Sequence, residues 1–210
     1  MRIIRDYQFI AAEDRGAVAA IGNFDGVHLG HQAALDLVRK IAKDSNSHVG
    51  TLTFEPHPRE YFSPKSAAFR LMSADAKANR LEKLGVERLY QLNFNAALSA
   101  LSAREFARDV IYKALGLTHV IVGADFCFGK GRTGTASDLI NFGEEFGFKV
   151  TIAELLKDND QVFSSTAIRN ALSEGRPENA ARMLGHLHRI EGQVIQGHQR
   201  GRELGYPTAN

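Results

Sequence analysis

Two imidazoles three residues apart, His28 and His31, close the decapeptide Gly22-Asn23-Phe24-Asp25-Gly26-Val27-His28-Leu29-Gly30-His31. At that spacing they share one face of a helical turn, where both rings can donate to the same oxygens. The apolar run Ala17–Ile21 leads into the segment, and Ala34, Leu37, Val38 and Ile41 leave it at helical spacing. The pattern is a strand, a glycine-rich turn and a helix start. Gly22, Gly26 and Gly30 allow the backbone to turn tightly and to approach a ligand. A helix start adds unpaired N–H groups and the positive end of a dipole. Such donors suit charge that builds on phosphate oxygens during a reaction. A His-x-x-His pair alone is equally half of a zinc site or a surface accident. The glycine turn and Asp25 in the same segment favour nucleotide chemistry.

Three more segments carry candidate chemistry. In Thr53-Phe54-Glu55-Pro56-His57-Pro58 the two prolines predict a rigid extended turn that holds Glu55 and His57 at a strand end. Tyr61 and Phe62 follow, either as core residues or as faces on which a planar ring stacks. Gly123–Gly134 contains Gly129-Lys130-Gly131-Arg132-Thr133-Gly134, a Gly-x-Gly-x-x-Gly run, with Glu154 about twenty residues on, as a nicotinamide-binding dehydrogenase would have it. Ala124–Phe128 separates that run from its strand, which counts against the dehydrogenase, since there the first glycine makes the strand-to-helix turn itself. The other reading is a mobile basic loop in which Lys130 and Arg132 reach phosphate and Asp125 is fixed at the strand end. Finally, Ser164, Ser165 and Thr166 open a helix and Arg169 lies on the same face. Capping alone explains hydroxyls there. Opposite residues 22–31 they make a second edge that grips phosphate.

The elements that must position these residues alternate along the chain. Strands are predicted at Val18–Ile21, His48–Phe54, Arg88–Leu92, His119–Val122 and Lys149–Ala153, and helices at about 31–43, 74–84, 102–115 and 135–146. Ser102 and Glu105 form a capping-box pattern for the third helix. Such alternation predicts an α/β fold with a parallel sheet, whose ligands bind beyond the carboxyl ends of the strands. Residues 1–186 read as one domain. From residue 187 the texture changes: Ile190–Gly197 reads as β structure, and the chain stops at Gly-Tyr-Pro-Thr-Ala-Asn as though a second domain, 187–210, had only begun.

Composition narrows the partners. A net charge of +2 over 210 residues suits small anionic substrates, without the basic patch that nucleic acid demands. The single cysteine, Cys127, rules out an internal disulfide, favours a reducing compartment and, between Phe126 and Phe128, reads as a small buried residue. No stretch approaches a membrane span and Met1–Asp6 lacks a signal-peptide core, so a cytoplasmic protein with no membrane partner is expected.

Residues 22–31 resemble the Gly-x-Phe-Asp-x-x-His-x-Gly-His signature of the nucleotidyltransferases. With Thr53–Pro58, Gly123–Gly134, Ser164–Arg169 and the terminal Pro-Thr-Ala-Asn, nearly the whole chain resembles the bacterial bifunctional riboflavin kinase/FAD synthetases. The resemblance implies a Rossmann-like parallel sheet of the nucleotidyltransferase superfamily, followed by the truncated start of a β-barrel. It implies transfer of AMP from ATP to FMN, giving FAD and pyrophosphate, with Mg2+. By the same resemblance His28, His31 and Arg169 are catalytic, and Gly22, Asn23, Phe24, Asp25, Gly26, Ser164, Ser165 and Thr166 hold ATP phosphates. Pro56, His57, Phe62, Asp125, Phe126 and Phe128 border the nucleotide or flavin, no residue of the first domain is assigned to metal, and Thr208 and Asn210 match the kinase motif. Riboflavin phosphorylation is expected only of a complete protein. A different acceptor, such as phosphopantetheine or glycerol phosphate, and a non-catalytic flavin or nucleotide sensor are the alternatives.

Overall fold

The computed structural model describes residues 1–64, 69–154, 156–158, 161–192, 194, 195, 197, 198 and 200–206. Strands β1 (Arg2–Ile4), β2 (Val18–Ile21), β3 (Val49–Glu55), β4 (Arg88–Asn93), β5 (His119–Gly123) and β8 (Lys149–Ala153) form one parallel sheet in the order β1-β4-β3-β2-β5-β8. β2 is buried along its whole length, as a central parallel strand covered on both faces must be. The order reverses between β2 and β5, so the crevice at their carboxyl ends is the switch point where such sheets bind ligands.

Helices cover the sheet in two layers. On one face α1 (Leu29–Asp44) and α3 (Ala74–Lys83) bury Leu35, Val38, Ala78 and Leu81 against Val18, Ala20 and Ile121. On the other, Ala19, Leu52, Tyr90 and Val120 pack against Phe106, Val110, Ile111 and Leu139. Leu139 belongs to α6 (Ala136–Phe146), which opens on a Thr135/Asp138 capping box and ends on left-handed Gly147. The predicted helix at 102–115 has the capping box expected of Ser102 and Glu105. Its course differs: one α turn, α5 (Ala103–Glu105), runs into a π-helical segment, Phe106–Ala114. Five-residue bonding, closed by the Leu115 N–H on the Val110 carbonyl at 2.9 Å, stacks Phe106 over Ile111 toward the core.

Several connections depart from the sequence reading. Pro58 does not extend a turn but occupies the first position of α2 (Pro58–Phe62), where its missing N–H costs nothing. The stretch after β5 is a built hairpin, not a mobile loop: β6 (Cys127–Phe128) pairs with β7 (Gly134–Thr135), and Gly129 packs on Ala103. Its three glycines therefore make no strand-to-helix turn, which removes the structural basis of the dinucleotide reading. Cys127 is half-buried rather than buried.

A small hairpin, β9 (Lys157–Asp158) with β10 (Gln161–Val162), leads into α7 (Ser165–Ser173) and α8 (Pro177–Leu184). These two helices form a cluster of their own around Ile168, Ala180, Met183 and Leu184, closed by Leu71. Among the described residues beyond 186 there is a short helix, α9 (Arg200–Glu203), and no strand; Gln193 and Gln196, within the β stretch expected at Ile190–Gly197, lie outside the described residues.

Candidate active site

The turn after β2 makes the floor of the crevice. Gly26 is left-handed (φ +86°), but Phe24 (φ +52°) and Val27 (φ +42°) also adopt positive φ, a conformation that costs free energy and marks strained, functional backbone. Gly22 and Gly30 serve closeness instead: a Cβ on Gly30 would lie 3.1 Å from the His28 ring. The N–H groups of Asn23, Phe24, Asp25 and Gly26 have no hydrogen-bond partner among the described residues. A row of free amides beside a helix start is an anion cradle.

His28 is the N-cap of α1, and its Nδ1 accepts the His31 N–H at 3.4 Å. In the neutral ring Nε2 then carries the proton and is the free donor. The two imidazoles stack with centroids 3.7 Å apart, and Phe24 lies 4.7 Å from His31. Burial, reinforced by the Arg169 charge, pushes the His28 pKa down to about 4. Burial, then the charges of His28 and Lys77, holds His31 well below the ordinary histidine value. The rings are therefore neutral donors at pH 7, and stacking forbids a second positive charge. The side chain of Phe24 belongs to the core, which leaves its backbone to face a ligand.

The second edge is fastened to this floor. Ser164 caps α7 through the Ala167 N–H at 3.1 Å, and Ser165 donates to the Asp25 carbonyl at 2.8 Å. Arg169 forms an ion pair with Asp25, donates to the Phe69 carbonyl at 2.7 Å and lies over the Phe69 ring. Asp25, 4% exposed, also accepts the Leu71 N–H at 2.9 Å. Asp25 is thus the rivet between the glycine turn and the start of α7, its carboxylate committed to protein partners. Thr166 is exposed on the open side of the helix start.

The third wall comes from the segment after β3. His57 caps α2, accepts the Arg59 N–H at 3.1 Å and stands edge-on to Phe69. Burial, opposed by Asp25 and reinforced by Arg169, lowers its pKa to about 4. Pro56 is half-buried, whereas Phe62 is 66% exposed. An unbroken run of ring contacts of 5.3–6.2 Å passes from Phe62 through Phe94, Phe54, Phe106 and Phe128 to Phe126. The aromatic residues singled out on either side thus belong to one wall, with Phe128 buried in it and Asp125 exposed at the rim. Thr208 and Asn210 lie outside the described residues.

Sequence reasoning missed three participants. Arg70 ties Glu55 to Glu60, with its Nε 2.7 Å from Glu60 Oε1. Phe69 supports His57 and Arg169. Lys77, 5% exposed, extends its ammonium to Thr53 Oγ1 (3.2 Å) and the Asn23 carbonyl (3.3 Å). Its signal was legible: a lysine on the apolar stripe with Ala78 and Leu81.

A parallel sheet with an anion cradle and a histidine pair at its switch point, faced by a second helix start bearing arginine, defines an α/β protein of the nucleotidyltransferase type. The FAD synthetase family model matches residues 10–167, and a riboflavin kinase model matches residues 184–210. The chain belongs to the FAD synthetase family. It is 41% identical over 210 residues to the bifunctional riboflavin kinase/FMN adenylyltransferase of Pseudomonas fluorescens and 37% identical over 211 residues to that of Escherichia coli. Each alignment takes in 100% of this chain and 67% of the relative. A crystal structure described as a macrolide-efflux protein from Streptococcus pneumoniae superposes with a TM-score of 0.82 at 30% identity, over 100% of this chain and 67% of that one. Among the described residues no helix is long and apolar enough to cross a membrane.

Proposed function

We propose that this chain is an FMN adenylyltransferase that joins AMP from ATP to the phosphate of FMN in the cytoplasm. A phosphate oxygen of FMN attacks the α-phosphorus in line. The bond from that phosphorus to the bridging oxygen of the β-phosphate breaks, and pyrophosphate leaves with the electron pair. No covalent enzyme intermediate is required, so catalysis rests on position and charge. The amides of Asn23–Gly26 and the neutral Nε2–H of His28 donate to the triphosphate, with His31 stacked behind. Ser164, Ser165, Thr166 and Arg169 receive the pyrophosphate end. His57, Pro56, Phe62 and Phe126 border the flavin ring, with Asp125 at the nucleotide rim. Among the described residues no group of three or more His, Cys, Asp or Glu side chains stands ready for a metal. Magnesium would be carried on the phosphate oxygens of ATP, where it would offset their charge. Riboflavin phosphorylation is proposed for a protein that carries the remaining third of the relatives' length.

The observation that supports the reading is the Asp25–Arg169 ion pair, which joins the glycine turn to the start of α7. Incubation with FMN and magnesium-ATP should yield FAD and pyrophosphate in equal amounts. In His28→Ala the rate should fall about 10²–10³-fold, as for loss of one preorganised donor. ATP and FMN binding without pyrophosphate release would favour a sensor instead.

A further inference from the structure

Lys77 is a charge that the proposed chemistry does not use. A buried ammonium is costly unless its donors find partners. Here the partners are the Asn23 carbonyl, the Thr53 hydroxyl and, at 3.8 Å, the Glu55 carboxylate. Thr53 Oγ1 in turn donates to the Asn23 carbonyl at 3.1 Å. Two donors from two elements, α3 and β3, thus draw one carbonyl of the glycine turn inward. In a trans peptide the C=O and the following N–H point opposite ways. With the Asn23 oxygen drawn inward, the Phe24 N–H is turned outward, toward the open side of the turn, where it has no partner among the described residues.

We infer that Lys77 is a positioning residue for ATP: acting through the Asn23 carbonyl, it holds the free amides of the 22–26 turn toward the triphosphate. The inference rests on reading that turn as the phosphate cradle. Lys77 also sets the charge of the site. It is faced by Glu55, Asp25 and Glu60, which favour its ammonium, and by Arg70, which opposes it. It disfavours a proton on His31, which otherwise faces His28.

The test uses the 210-residue chain with Lys77→Met, which keeps length and apolar stem but removes the charge. Calorimetric titration with magnesium-ATP should show affinity weakened tenfold or more, with FMN affinity held within twofold. The His31 ring, followed by NMR without substrate, should titrate at higher pH than in the wild type once the Lys77 charge is gone. ATP affinity within twofold of the wild type, or equal losses for ATP and FMN, overturns the inference. Should Lys77→Met fail to fold, Thr53→Val removes one of the two donors to the Asn23 carbonyl, while Lys77 keeps its direct bond there and its Glu55 partner. A fivefold or greater loss of ATP affinity then supports the inference and a change within twofold overturns it. A wild-type chain that releases no pyrophosphate with FMN would remove the proposed reaction, while the ATP comparison would still decide the role of Lys77.

Discussion

Burial holds the imidazoles of His28, His31 and His57 uncharged at pH 7, whereas the unfolded chain titrates near the ordinary histidine value. Between about pH 6.5 and about pH 4 the unfolded state therefore binds more protons, and stability falls as pH falls through that window. For His28 alone the loss from pH 7 to pH 5 is about 2 kcal/mol, measurable by urea unfolding at the two pH values and absent in His28→Ala. A phosphate at these rings reverses the preference. Binding of magnesium-ATP at pH 5.5 should then take up protons, seen as a heat of binding that varies with the ionisation enthalpy of the buffer. The Asp25–Arg169 pair behaves differently. Both side chains are largely buried, so Arg169→Met leaves a carboxylate without its counter-charge and should cost about 3–5 kcal/mol by denaturant unfolding.

Two glycines of the same turn separate backbone strain from crowding. Gly26 is left-handed, and a Cβ there would meet Leu71 Cδ1 at 2.8 Å and Leu184 Cδ2 at 3.1 Å. Gly26→Ala should cost about 1–3 kcal/mol and loosen the α7–α8 pair from the turn. Gly30 sits inside α1 with ordinary helical geometry, where alanine is favoured by up to about 1 kcal/mol. Its Cβ would instead press on the His28 ring at 3.1 Å. Gly30→Ala should therefore keep or raise the melting temperature while adenylyl transfer falls tenfold or more. How much could be read beforehand follows the same division. Apolar runs such as Val18–Ile21 announced the central strands, because parallel strands are buried on both faces. The exposed three-residue β1 at the sheet edge has no such run and escaped notice. The histidine pair and Ser164–Arg169 were legible as local motifs. Their fastening through Asp25, and the placement of Lys77 beneath the turn, depend on contacts between distant segments that no local pattern carries.

At the scale of the molecule the site is shared by the sheet and the α7–α8 pair. Gln32 donates through Nε2 to both the Val27 and the Leu184 carbonyls at 2.9 Å, and His186 Nε2 lies 3.2 Å from the Gly26 carbonyl. Nucleotide on the turn should thus tighten the end of α8. Limited proteolysis followed by mass spectrometry should show slower cleavage at residues 186–192 with magnesium-ATP than without, and Gln32→Leu should erase the difference. The Asp25–Arg169 pair has one more consequence, in time rather than space. Its members lie 144 residues apart, and the chain is made from its amino end. A nascent chain displays the glycine turn and His28 long before Arg169 has been synthesised. Until then the edge proposed to grip pyrophosphate does not exist, so the proposed site is incomplete while every strand of the main sheet has already been made.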